Sequence, residues 1–191
     1  SDLSESEQPK IIKHNEYRFE IVCSSKRERL LAKLFENHTL LFYTKSKVSC
    51  IVLQSLTENT IIGTGWVNLN FPLKGIIKRR NGKPSEQFIM IDQAINLFIV
   101  SSKGDALVAK RCGSLSEINK DSLAQKEKYG YSHGFLDHSD PSTEYLVIYR
   151  DSRFYILHLD DMRYTFLFDI SVQFDNITSW NTVGIHLVLQ R

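Results

Sequence analysis

The sequence predicts a mainly β protein built from antiparallel meanders. Three observations carry that expectation. Segments rich in β-branched, aromatic and leucine side chains recur along almost the whole chain from Tyr17 onward. The polar connections between them run to about two to five residues, too short for the crossover that a parallel strand pair needs. One segment alone, 114–130, departs from the strand pattern and carries helical periodicity.

Taken in order, residues 1–14 begin "SDLSESEQPK", polar, acidic and without periodicity, and are expected to be a mobile lead-in. Residues 15–191 are expected to form a single mainly β domain or a piece of a larger one. "YRFEIVCS" (17–24) alternates. "LLAKLF" (30–35), the turn "ENH" and "TLLFYT" (39–44) make a hairpin, and "VSCIVLQSL" (48–56) follows. "NTIIGTGWVNLNF" (59–71) contains Gly63 and Gly65, which mark a bend or a bulge. "GIIKRR" (75–80) runs into the turn "NGKPS". "QFIMI", "INLFIVSS" and "ALVAKR", joined by "DQA" and "KGD", form a three-stranded meander over 87–111.

"SLSEINKDSLAQKEKYG" (114–130) places Leu115, Ile118 and Leu123 on a polar background. Ser114 with Glu117 matches a capping box and Gly130 a C-terminal stop, so an inserted amphipathic helix is expected here. The loop "YSHGFLDHSDPSTE" (131–144) follows, and strands resume at Tyr145 with "YLVIYR", "RFYILHL", "RYTFLFDISVQF", "ITSWNTV" and "GIHLVLQR".

Several strands do not alternate. "FYILHL", "INLFIV" and "YTFLFDI" are apolar at nearly every position, whereas a sheet with one wet face shows apolar and polar residues in turn. Antiparallel strands of this kind belong to sheets covered on both faces, as in layered sheets or the inner strands of a β-propeller blade. Apolar strand–turn–strand units begin at Leu30, Phe88 and Tyr145, 58 and 57 residues apart. Propeller repeats commonly run to about 40–50 residues, so these units would be blades with extended connections. The expected fold is therefore β-propeller-like, partial or incomplete, with one inserted helix; a β-sandwich or small barrel plus one helix is the alternative. Because "GIHLVLQR" stops within strand-like sequence, a piece of a longer protein, completed by further sequence or by a partner, is expected.

Composition excludes some classes. The 191 residues are 42% apolar and 24% charged, with a net charge of +2, too balanced to imply nucleic acid or an anionic membrane on that ground alone. No apolar run reaches the roughly 20 residues of a membrane-spanning helix, and no membrane partner is expected. Cys23, Cys50 and Cys112 are odd in number and far apart, which argues against a disulfide framework or a thiolate zinc site and for a reducing compartment, nuclear or cytoplasmic. Two glycosylation sequons, Asn37-His38-Thr39 and Asn176-Ile177-Thr178, come without a signal peptide.

The candidate chemistry is sparse. His133, Asp137, His138, Asp140 and Glu144 gather possible ligands in one loop, but at no spacing typical of a metal site; a solvated loop is the competing reading. His158 with Asp160 and Asp161 resembles an acid–base pair, yet no nucleophile accompanies it and the two aspartates suit a strand turn. "GTGWVNLN" holds a lone GxG that precedes no helix and so forms no phosphate loop. The dense basic cluster is Lys74, Lys78, Arg79, Arg80 and Lys83, with Trp66 and Phe71 upstream. Cations for phosphates and aromatics for bases would make it a nucleic-acid surface; a charged hairpin tip or an acidic protein partner would use the same residues. Trp66 and Trp180 are core residues or interface anchors.

No catalytic constellation emerges. The expected function is a non-enzymatic protein–protein interaction scaffold within a larger intracellular assembly, without cofactors or metal and with other protein subunits as partners. A nucleic-acid-binding β domain using residues 74–83 is the alternative.

Overall fold

A computed structural model describes residues 9–23, 28–36, 38–79, 86–114, 129–137, 139–150, 153–161, 163–169, 179–183 and 186–190. The chain divides into two compact units, one of residues 1–79 and 83–112, the other of 80–82 and 113–191. The expectation of a mainly β protein of antiparallel meanders holds in both. Among the described residues the one helical segment is a 3-10 turn, Pro141–Thr143.

The first unit opens with a hairpin of β1 (Lys10–Lys13) and β2 (Phe19–Val22). Here the expectation of a mobile lead-in over 1–14 is corrected. Lys10–Lys13 satisfies its backbone groups on β2, with Ile11 opposite Ile21, and the surface charges do not oppose that pairing. Residues 1–8 lie outside the described residues.

Two four-stranded meanders follow. The first is β3 (Leu30–Leu34), β4 (Thr39–Thr44), β5 (Val48–Ser55) and β6 (Thr60–Asn68). The second is β7 (Leu73–Lys78), β8 (Glu86–Asp92), β9 (Asn96–Lys103) and β10 (Ala106–Ser114). They join in one eight-stranded sheet ordered β3-β4-β5-β6-β10-β9-β8-β7. Every pairing within a meander links chain neighbours, whereas β6 and β10 run parallel, with Thr64, Gly65 and Trp66 opposite Ala106, Leu107 and Val108. The last strand of each meander thus meets at a short seam.

The two meanders close over each other like the covers of a book with this seam as its spine. Leu41, Ile51, Leu53 and Val67 of the first pack with Ile76, Phe88, Met90, Phe98 and Leu107 of the second, and the Phe35 and Phe88 rings lie 5.9 Å apart. Face-to-face blades with parallel innermost strands are the propeller-like relation. It also explains the non-alternating strands: β5 is buried from Val48 to Leu53 and β8 from Phe88 to Ile91, so each has both faces covered.

The turns are specified locally. Gly104 takes φ +65° between β9 and β10. The β8–β9 turn carries Ile95 at φ +61°, a costly conformation for a β-branched residue. Buried Asp92 stabilises that turn: its Oδ1 accepts from the Ala94 and Asn96 amides at 2.9 Å, and its Oδ2 accepts from Asn96 Nδ2 at 2.8 Å.

In the second unit β11 (Gly130–Phe135), β12 (Glu144–Arg150), β13 (Arg153–His158) and β14 (Arg163–Asp169) form a third antiparallel meander, and β15 (Ser179–Val183) pairs with β16 (His186–Gln190). The apolar stretch Tyr145–Leu157 is the central pair of this sheet, buried at Leu146, Val147 and Ile148 and again at Phe154, Tyr155, Ile156 and Leu157.

Ser114 ends β10 and Gly130 begins β11, where it pairs with Tyr149; the helix expected between them, 115–128, lies outside the described residues. One further expectation is corrected: the repeat is differently phased. The meanders begin at Leu30, Leu73 and Gly130, 43 and 57 residues apart, because Leu30 opens a first strand whereas Phe88 and Tyr145 lie in second strands. The apolar pattern matched strands of different rank.

Candidate interaction surface

The seam between β6 and β10 depends on glycine. A Cβ on Gly65 would stand 2.0 Å from the Leu107 carbonyl oxygen, so no other residue allows the two backbones this approach. Gly63 is roomier, with the Leu107 Cδ2 at 3.0 Å. The bulge read from this sequence is present at Ile62, between the pairs Leu53–Gly63 and Gln54–Ile61.

Alternation along β6 sends Gly65 and Val67 into the core side and Trp66 to the outer side of the spine. There Trp66 lies between Cys50 of β5 and Val108 of β10. The β1–β2 hairpin covers this outer face over β4 and β5: Phe19 packs on Phe42 with ring centres 5.2 Å apart, and the Cys50 thiol donates to the Pro9 carbonyl at 3.4 Å. The cover touches β6 at Ile61, whose amide donates to the Glu16 carbonyl at 2.8 Å, and leaves Trp66 open. Trp66 is 61% exposed and its neighbour Val108 47% exposed.

The parallel ladder ends after three residue pairs, and a groove of about 530 Å³ lies along it and past its end. Trp66, Asn68 and Val108 line it from one face, Phe98, Ala109 and Arg111 from the other. Arg111 donates from Nη2 to Asn96 Oδ1 at 3.0 Å, and Asn96 is itself held by buried Asp92.

The basic cluster is not assembled with Trp66. Lys74 is the extra residue of a bulge in β7, between Leu73 and Gly75, and is exposed. Lys78 is half-buried with its Nζ 5.7 Å from the Phe35 ring centre, and burial holds its ammonium below the usual lysine range. Arg79 follows the strand and is also half-buried; Arg80 and Lys83 lie outside the described residues. Strands β10, β9 and β8 stand between β6 and β7, about 19 Å at usual strand spacing. Cations and indole therefore do not form one stacking surface.

The loop expected over 131–144 is also corrected, since its first part is strand β11, paired to β12. His133 Nε2 donates to Glu144 Oε1 at 2.8 Å; Glu144 is 1% exposed, and its Oε2 has no donor in reach among the described residues. Asp137 Oδ1 accepts from the Ser139 amide and hydroxyl, and Asp140 Oδ1 from those of Ser142. These aspartates build turns. His138 lies outside the described residues, among which no group of three or more His, Cys, Asp or Glu side chains is placed to hold a metal ion. His158 ends β13 opposite Tyr145, and Leu159, Asp160 and Asp161 form the turn to β14. Burial pushes the Cys23 thiol up to about 12, helped by a hydrogen bond from its side chain to Glu28, and the Cys50 thiol up to about 11. Neither is a ready nucleophile at neutral pH. Of Trp180 only its place in β15 is described. No helix of the described residues is long and apolar enough to cross a membrane.

Fold and surface together define a β-propeller-like domain with an open groove at the spine between two blades. No family model matches the chain, and no curated protein matches it. Among solved structures it is similar to the WD40 domain of SCAP from fission yeast, at 14% identity and a TM-score of 0.42. The match covers 79% of this chain and 34% of that one, so the chain spans about a third of that structure.

Proposed function

We propose that this chain is a non-enzymatic interaction scaffold, a subunit or domain of a larger intracellular assembly that binds another protein at the β6–β10 seam. The observation that carries the reading is the exposure of Trp66 and Val108, side by side on the outer face and left open by the β1–β2 hairpin. Exposed indole is expensive surface. With 61% of the residue open, a partner would remove about 150 Å² of largely apolar area, roughly 3–4 kcal/mol. Tryptophan in such a setting is a typical interface anchor.

Other features agree with this reading. Asp137, Asp140 and His133 have structural partners, and Cys23, Cys50 and Cys112 stand as thiols, as suits a reducing compartment. The test is a photo-crosslinking amino acid placed at Trp66 in the protein expressed in its own cells, with exposed Glu58 as control position. Discrete protein adducts at 66 and none at 58 are expected. Nucleic-acid adducts alone, or none from a folded protein, would overturn the proposal.

A further inference from the structure

We infer that the outer edge of β1 is a strand-addition site: an extended segment of the partner pairs with β1 and lies over Trp66 and Val108. The inference rests on the protein-interaction reading above and adds the chemistry of the partner.

Unpaired backbone groups specify the occupant. β1 and β2 form a two-stranded sheet, so among the described residues β1 is paired along one edge only. In an antiparallel ladder alternate residues turn their N–H and C=O away from the partner strand. On Lys10–Lys13 those groups meet no other backbone group of the described residues. An extended chain satisfies such a row, as peptides that add to sheet edges do. A nucleic-acid strand has no backbone N–H groups with which to continue the ladder.

The place of this edge puts the added strand over the open indole. Three contacts fix the hairpin on the sheet: Pro9 on Cys50 of β5, Phe19 on Phe42 of β4, and Glu16 on Ile61 near the start of β6. β2 therefore lies on the β4 side and β1 over β5, with the outer edge of β1 turned toward β6. Cys50 stands beside Trp66, and Trp66 beside Val108. A strand added to β1 lies about 4.8 Å further on, above β6. There Trp66 is 61% and Val108 47% exposed, and the apolar side chains of the new strand would cover both. A two-stranded ribbon is marginal by itself, so a third strand also supports the hairpin. Charge selects among extended segments. Lys10 and Lys13 are exposed and have no ion-pair partner among the described residues, so acidic rather than basic residues suit the ends of the incoming strand.

The chain with Trp180→Phe keeps Trp66 as its single tryptophan, so indole emission reports the site. The probes are acetylated, amidated eight-residue peptides of alternating Val or Leu and Thr with Glu at both ends, and two N-methylated forms of each. Methyl groups on alternate amides block one edge of an extended peptide, and the same pattern moved by one residue blocks the other. The parent peptides are expected to shift the Trp66 emission and to slow hydrogen exchange at the β1 amides that point away from β2. One methylation pattern should weaken binding by about tenfold or more, and the other should change it by no more than about twofold. Lys in place of the terminal Glu residues should weaken binding about threefold, and Lys10→Glu with Lys13→Glu should invert that preference. Trp66→Ala should weaken every peptide, and thermal melts of each protein separate lost binding from lost folding. No binding by the parent peptides, equal loss with both methylation patterns, slowed exchange elsewhere than β1, or a preference of the unaltered lysines for Lys-ended peptides would overturn the inference. If photo-crosslinking at position 66 still yields protein adducts in those cases, the interaction surface stands and only strand addition at β1 is lost.

Discussion

Replacing Gly65 by alanine tests the packing of the spine. The added Cβ would stand 2.0 Å from the Leu107 carbonyl oxygen, and carbon and oxygen do not approach below about 3 Å, so β10 must retreat by about 1 Å or more. That movement breaks a ladder of three residue pairs. At about 1 kcal/mol net per backbone hydrogen bond the loss is about 2–3 kcal/mol. Alanine returns about 0.4–1 kcal/mol by restricting the unfolded chain. The net cost is then about 2 kcal/mol, on the order of 10 °C in Tm for a unit of this size. Gly63→Ala is the internal control: a Cβ there would meet the Leu107 Cδ2 at 3.0 Å and the Asp105 carbonyl oxygen at 3.2 Å, so shifts of a few tenths of an ångström suffice and its cost should be the smaller of the two. Urea unfolding followed by tryptophan emission measures both. A Gly65→Ala midpoint no lower than that of Gly63→Ala would refute the close-approach reasoning, and with it the geometry assigned to the groove.

Other expectations follow from buried groups. His133→Ala should destabilise the protein by about 3 kcal/mol, because it removes the donor from the nearly inaccessible Glu144 carboxylate, whereas Glu144→Gln, which can still accept from His133, should cost less; equal urea midpoints for His133→Ala and wild type would contradict this. The Cys50 thiol, raised from the usual 9.0 to about 11, favours folding while it is protonated, so its contribution is complete below pH 9 and is lost as pH rises toward 11; Cys50→Ala should flatten the fall in stability over that interval in denaturant titrations. Lys78 has the opposite sign. Its lowered value means that the unfolded chain holds the proton more tightly, so the residue costs stability at neutral pH, and Lys78→Met, which keeps the stem over Phe35, should raise Tm at pH 7; a fall would show that the ammonium–ring contact outweighs desolvation.

Strand character was legible wherever it was set by local chemistry. "TLLFYT" is β4 to the residue, and the apolar hairpin at Tyr145 is the central pair of a covered sheet, because burial on both faces leaves a continuous apolar run in the sequence. Errors fell where one local signal served two structures: Lys10–Lys13 looks like a tail yet pairs with β2, and His133, read as a loop residue, lies in β11. Of the surface residues, Trp66 was singled out from the sequence; Val108 and Arg111 were not, since nothing in the local pattern of "ALVAKR" shows which strand lies beside it.

By itself, then, the sequence determined the β class, the short antiparallel connections and the covered central strands, because turn residues and the presence or absence of alternation are written along a single strand. The tertiary structure alone decided the phase of the meanders, the parallel meeting of β6 with β10 and the separation of Trp66 from the lysines of β7. These depend on which strand lies next to which across about 40 residues of intervening chain, where the residues in contact leave no periodic trace. The nearest to a signal was Gly65, whose missing side chain registers the approach of a strand that the local sequence does not name.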